Sequence, residues 1–109
     1  MKIVRFDPSR PITQHGSTGA TVAGIARMEG RAQVVCIRLE PGGVVGEHPA
    51  VGAQLFLVVA GSGWVRAGAH RRDVAAGSGA LWEPDELHES GTDDGMTAVV
   101  VEAEAIELV

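Results

Sequence analysis

The chain has 109 residues, is 45% hydrophobic, and carries 14 acidic against 9 basic side chains, for a formal net charge of -5. That length suits one domain with a real core, and the apolar fraction excludes a disordered chain. The negative balance, concentrated from Glu83 onward, argues against nonspecific affinity for nucleic acid or for an anionic membrane. The 15 glycines show no three-residue repeat, which excludes collagen, and the single cysteine, Cys36, excludes an intrachain disulfide. The opening MKIVRFDPSRP lacks the apolar core of a signal peptide, and no run approaches the roughly 20 apolar residues of a membrane span, so a cytoplasmic location is the default expectation.

In chain order, residues 1–19 read as an N-terminal arm rich in proline and glycine, in which Lys2 to Phe6 can pair as a short strand. From residue 20 to 109 short apolar runs alternate with turn signals. Strands are predicted at 20–28, 32–40, 44–48, 53–60, 63–67, 70–75, 80–83, 87–91 and 96–103. Breaks fall at Glu29-Gly30, Pro41-Gly42-Gly43, Gly61-Ser62-Gly63, Gly68-Ala69, Gly77-Ser78-Gly79 and Asp93-Asp94-Gly95. This spacing predicts an all-β sandwich or barrel. The best helical stretch, 98–109, contains Val99-Val100-Val101 and reads better as strand.

Alternation assigns faces. In 34–40, Arg38 and Glu40 mark the outer face, so Val35, Ile37 and Leu39 point inward and Cys36 outward. In 53–60 both faces are apolar: Ala53, Leu55, Leu57 and Val59 on one, Gln54, Phe56, Val58 and Ala60 on the other. One side then faces the interior and the other either a second chain, which predicts a homodimer, or the chain's own arm. Trp64 and Trp82 flank turns, where a tryptophan caps a small barrel or stacks on a ligand.

Four histidines are present. His15 in the arm and His70 at a strand start read as exposed side chains. His48 ends the glycine-rich PGGVVGEHP, and His88 lies in WEPDELHES where a strand restarts. Imidazole is a good metal ligand, but a metal site needs three or more ligands converging on one point. The chain has no tyrosine to serve as a general acid, and Cys36 stands in no motif that would make it a nucleophile.

The stretch PGGVVGEHPAVGAQLFLVVAGSG resembles the first motif of the cupins, with Gly61 at the closing glycine, Gln54 seven residues before it where the family has glutamate, His48 at the first histidine and Ala50 at the second. GSGALWEPDELH resembles the second motif, from Gly77 through the turn at Pro84-Asp85 to His88. The resemblance covers about residues 35 to 101. It implies a double-stranded β-helix, or jelly-roll barrel, around one pocket. It also implies His48, Gln54 and His88 as the remnant of a metal set in which the acid has become a neutral amide. Such a set would hold a divalent transition metal (Fe, Mn, Ni or Zn) more weakly than the full one. Glu47 becomes a substitute ligand if a bulge turns it inward. Three functions stay open: a metal-dependent dioxygenase- or isomerase-like enzyme acting on a small organic substrate, a metal-free binding or sensing domain for a small molecule, and an accessory dimer with a degenerate pocket.

Overall fold

The computed structural model describes residues 1–109, which form strands, turns and loops without a helix. The strands are β1 (Lys2–Arg5), β2 (Arg10–Pro11), β3 (Thr21–Val22), β4 (Ala26–Met28), β5 (Ala32–Leu39), β6 (Val44–Pro49), β7 (Ala53–Ala67), β8 (His70–Ala75), β9 (Ser78–Trp82), β10 (Leu87–Gly91), β11 (Met96–Ala103) and β12 (Ile106–Leu108). No helix is long and apolar enough to cross a membrane.

Two sheets share one strand. The first half of β7 runs between β9 and β11, with β1 beyond β9 and β5 beyond β11. Its second half runs between β8 and β10, with β6 beyond β10. The sequence predicts a break at Gly61-Ser62-Gly63; instead the chain bends there and continues. The glycines permit the bend. Gly61 takes φ 75°, and a Cβ on it would stand 2.2 Å from the Gly95 carbonyl oxygen. A Cβ on Gly63 would stand equally close to that of Gly91. Glycine here relieves a close approach of backbones and does not end the strand. The predicted strand 20–28 is in fact two short ones on either side of Ala23-Gly24-Ile25, β3 pairing with β2 and β4 with β12.

The core lies between the sheets. Phe56, Val58, Ala80, Trp82, Ala98 and Val100 face Val65, Ala67 and Val74 across it. Val35, Ile37 and Leu39 pack against this cluster, as alternation predicts, while Cys36 is exposed. Each buried aliphatic side chain contributes about 1.5–3 kcal/mol. The second face of β7 has its own cover: Ala53 and Leu55 lie with Val4 and Leu81 under Ile25, Ile106 and Leu108. Most of the two-sided apolar character of 53–60 is therefore satisfied within the chain. Val34 and Val59 remain exposed on that outer face.

β5 bonds only to β11 and β6 only to β10, so the sandwich is unpaired along the β5–β6 side. The inward residues Val35, Ile37 and Leu39 stay only half-buried there. The opposite side, between the edge strands β1 and β8, is likewise unpaired.

Candidate functional site

His48 on β6 and His88 on β10 are directly opposite in the antiparallel ladder, which places both side chains on one face. Their ring centroids are 4.3 Å apart, tilted by 56°. Beneath His88 lies Trp82, centroid at 4.4 Å and 31° from parallel, and beneath Trp82 the edge-on Phe56 at 5.7 Å. The four rings form a column from surface to core. His48 is exposed, whereas His88 is 4% and Trp82 1% exposed.

Both imidazoles are held the same way. His48 Nδ1 lies 2.7 Å from the Gly46 carbonyl oxygen and His88 Nδ1 3.1 Å from that of Glu86. A carbonyl only accepts, so each Nδ1 carries the proton and donates it, and each Nε2 is left with its lone pair in the neutral ring. Burial pushes the His88 pKa down, the charge of a protonated His48 adds to this, and the Glu86 carbonyl with the Glu86 and Glu102 carboxylates only partly opposes it. His88 is therefore a neutral base at pH 7.

The ladder shifts register between His88 and Ser90, so that Gly46 and Glu47 oppose Glu89 alone. This is the bulge that could have turned Glu47 inward. The Glu47 carboxylate instead points away, 3.6 Å from Arg66, which also pairs with Glu89 at 2.6 Å. Glu83 is exposed as well.

Gln54 is the cross-strand partner of both Trp82 and Glu102. It is 7% exposed, and its Nε2 donates to Glu102 Oε1 at 2.8 Å. The structure thus brings His48 and His88 together, while Gln54 stands beside Trp82 and bonds to neither imidazole. Glu102 is the inward carboxylate of the site. Sequence reasoning missed it, although alternation along Met96, Ala98, Val100 and Glu102 would have found it. The Trp82 indole N–H is also notable: it is buried and has no hydrogen-bond partner.

As metal donors the site offers two Nε2 lone pairs. No third His, Cys, Asp or Glu converges with them, and the Gln54 amide nitrogen is engaged by Glu102. A transition-metal centre takes three or four converging protein ligands, so the residues present do not make up such a set. As a site for an organic molecule they offer a buried donor, two acceptors and aromatic faces beside the half-buried Val35 and Ile37.

The sequence profile described as the AraC-like ligand binding domain matches residues 31–105. No curated protein matches the sequence. Among solved structures the chain is similar to a cupin superfamily protein from Desulfitobacterium hafniense, at 13% identity and TM-score 0.65, covering 96% of this chain and 100% of that one. It is similar also to an RmlC-like cupin from Shewanella frigidimarina, at 21% identity and TM-score 0.64, covering 75% and 78%. A cupin-like protein from Thermotoga maritima matches at 21% identity and TM-score 0.64 over 72% of this chain, which spans 64% of that protein's length. These likenesses show a shared jelly-roll fold.

Proposed function

The chain belongs to the family of AraC-like ligand-binding domains, cupin in fold, and from that premise we propose that it binds a small uncharged organic molecule carrying a hydroxyl group, between β5 and β6, without help from a metal. The observation that carries this reading is the unpartnered Trp82 N–H at the foot of the histidine column. Leaving a buried N–H without an acceptor costs about 1–3 kcal/mol. A hydroxyl meets the need on both sides, since its oxygen accepts from the indole and its proton goes to an imidazole Nε2. Neutral His88 favours an uncharged partner, and Val35 and Ile37 offer an apolar wall for the body of the molecule.

The test is a calorimetric screen of monosaccharides, polyols and phenols against tag-free protein, with and without a chelator, beside elemental analysis of the same sample. The expected result is saturable binding of one class, unaffected by chelator and weakened by His88→Ala. Stoichiometric Fe, Mn, Ni or Zn together with binding that chelation abolishes would overturn the metal-free reading in favour of a metal-dependent one.

The exposed Val34 and Val59 favour a compatible second reading, a homodimer through the outer face of the five-stranded sheet. Light scattering should then give twice the chain mass for the wild type and the chain mass for Val34→Glu. A wild-type monomer at micromolar concentration would remove this reading.

A further inference from the structure

Two adjoining clefts of the molecule do not open on the histidine column. They lie on the opposite flank, between the edge strands β1 and β8. One has a volume of about 720 Å³ and is lined by Ile3, Ala67, His70, Arg72 and Leu87 among others. The adjoining one, about 690 Å³, shares Ile3, Arg71 and Arg72 with it and also carries the carboxylates of Asp7, Asp73, Asp93 and Asp94.

The ladder fixes what points into this flank. On β8, His70 pairs with Ala67, Arg72 with Val65 and Val74 with Gly63. Ala67, Val65 and Val74 all belong to the core, so His70 and Arg72 share the inward face of an edge strand. Arg71 also lines the cleft, but its guanidinium is engaged 4.5 Å over the Trp64 ring. Nearby Arg5 is paired with Asp7 and Arg66 with Glu89. Arg72 has no such partner, and Glu86, the one carboxylate lining the larger cleft, is engaged by the Met1 amino group at 2.6 Å. In a chain of net charge -5, this cleft therefore presents guanidinium above an apolar floor.

We propose that the β1–β8 cleft is a second ligand site, separate from the histidine column, for a small organic carboxylate with an apolar body. The carboxylate pairs with the Arg72 guanidinium, the strongest match for a planar anion. The body lies on Ile3, Ala67 and Leu87. Bare phosphate would use the charge and leave the floor exposed, so the apolar floor favours a carboxylate bearing a hydrocarbon part.

The probe is benzoate, titrated into the full chain and followed by amide chemical shifts. Saturable shifts are expected at Ile3, Ala67, His70 and Leu87. Arg72→Ala should weaken binding at least tenfold, Arg72→Lys should weaken it less, and His48→Ala should leave it unchanged. Benzyl alcohol, with the same ring and no charge, should shift these same amides with at least tenfold weaker affinity than benzoate, whatever it does at the histidine column. Shifts confined to the His48–His88 side, or equal affinity for Arg72→Ala, would overturn the proposal. An inward charge on an edge strand also guards against strand pairing. If Arg72→Ala dimerises while its benzoate affinity is unchanged, Arg72 is that guard and the cleft is not its ligand site.

Discussion

Replacing Trp82 by phenylalanine separates the packing of the indole from its hydrogen-bonding need. The side chain is 1% exposed, faces His88 at 4.4 Å and takes Phe56 edge-on at 5.7 Å. A phenyl ring keeps both aromatic neighbours and loses only the part of the indole that it does not fill, about 2 kcal/mol on the methylene scale. It also removes an N–H that is buried without a partner, which relieves about 1–3 kcal/mol in the ligand-free protein. The two terms oppose each other, so the free protein should change in stability by less than about 1.5 kcal/mol, well short of the 3–5 kcal/mol typical of emptying an aromatic site to alanine. Ligand affinity should behave differently. Losing the relief that a ligand gives to this N–H, about 1–3 kcal/mol, weakens binding by roughly five- to 160-fold. Urea unfolding followed by circular dichroism reads the first quantity, and calorimetry with the hit of the screen reads the second. A loss of more than about 3 kcal/mol in the free protein would mean that the N–H is already satisfied, as by a buried water. Unchanged affinity would mean that the ligand does not use it. Either result would refute the reasoning.

Burial keeps His88 neutral, so its folded pKa lies below that of the unfolded chain, about 6.5. Between the two values the unfolded state binds more protons, and stability rises with pH. Stability from this group should be fully present above about pH 6.5 and be lost as pH falls toward the folded pKa; urea midpoints from pH 8 to 5 should show the slope, flattened in His88→Gln. Gln54→Glu places a second carboxylate against Glu102, where the amide now donates at 2.8 Å. In metal-free buffer at pH 7 it should destabilise by about 1–3 kcal/mol, less at pH 5 once the pair shares a proton; no loss at pH 7 would show that the two side chains can separate. Asp85 takes φ 67° at the turn before β10. Asp85→Gly should raise stability by about 0.5–1 kcal/mol by thermal unfolding, without changing ligand affinity, because the left-handed region costs an L side chain and glycine almost nothing.

Period-two alternation carried most of the fold. Val35, Ile37 and Leu39 were assignable inward because Arg38 and Glu40 mark the other face, and the packing agrees. Strand ends were less legible, since a glycine pair reads as a stop whether it ends a strand or lets two backbones approach, as at Gly61 and Gly63. The face of β7 opposite the core looked like an interface because the segments that cover it, around Ile25 and Ile106, are short and distant in sequence. The site was half legible. His48 and His88 could be named from their motifs, but their contact depends on ladder register, which no local pattern states. Trp82 was visible as a residue, while its unpartnered N–H is a property of the packed state alone.

The Gln54–Glu102 pair bears on why an amide stands at the position of the family's acid. Antiparallel registers put Gln54 between Trp82 on one side and Glu102 on the other, at a place 7% exposed. Two carboxylates there would repel unless a cation or a shared proton lay between them. With Glu102 supplying the charge, an amide at 54 both avoids that repulsion and satisfies Glu102 by donating to it. The amide of this pair stands on β7 and the carboxylate on β11. From there it acts on the column at a distance, as one of the charges that raise the His88 pKa against its burial. Burial outweighs that charge and holds the His88 imidazole neutral with its Nε2 lone pair free. That is the state in which it accepts a hydrogen bond from an uncharged ligand. The substitution of Gln54 and the burial of His88 therefore point the same way, toward recognition of an organic molecule by hydrogen bonding.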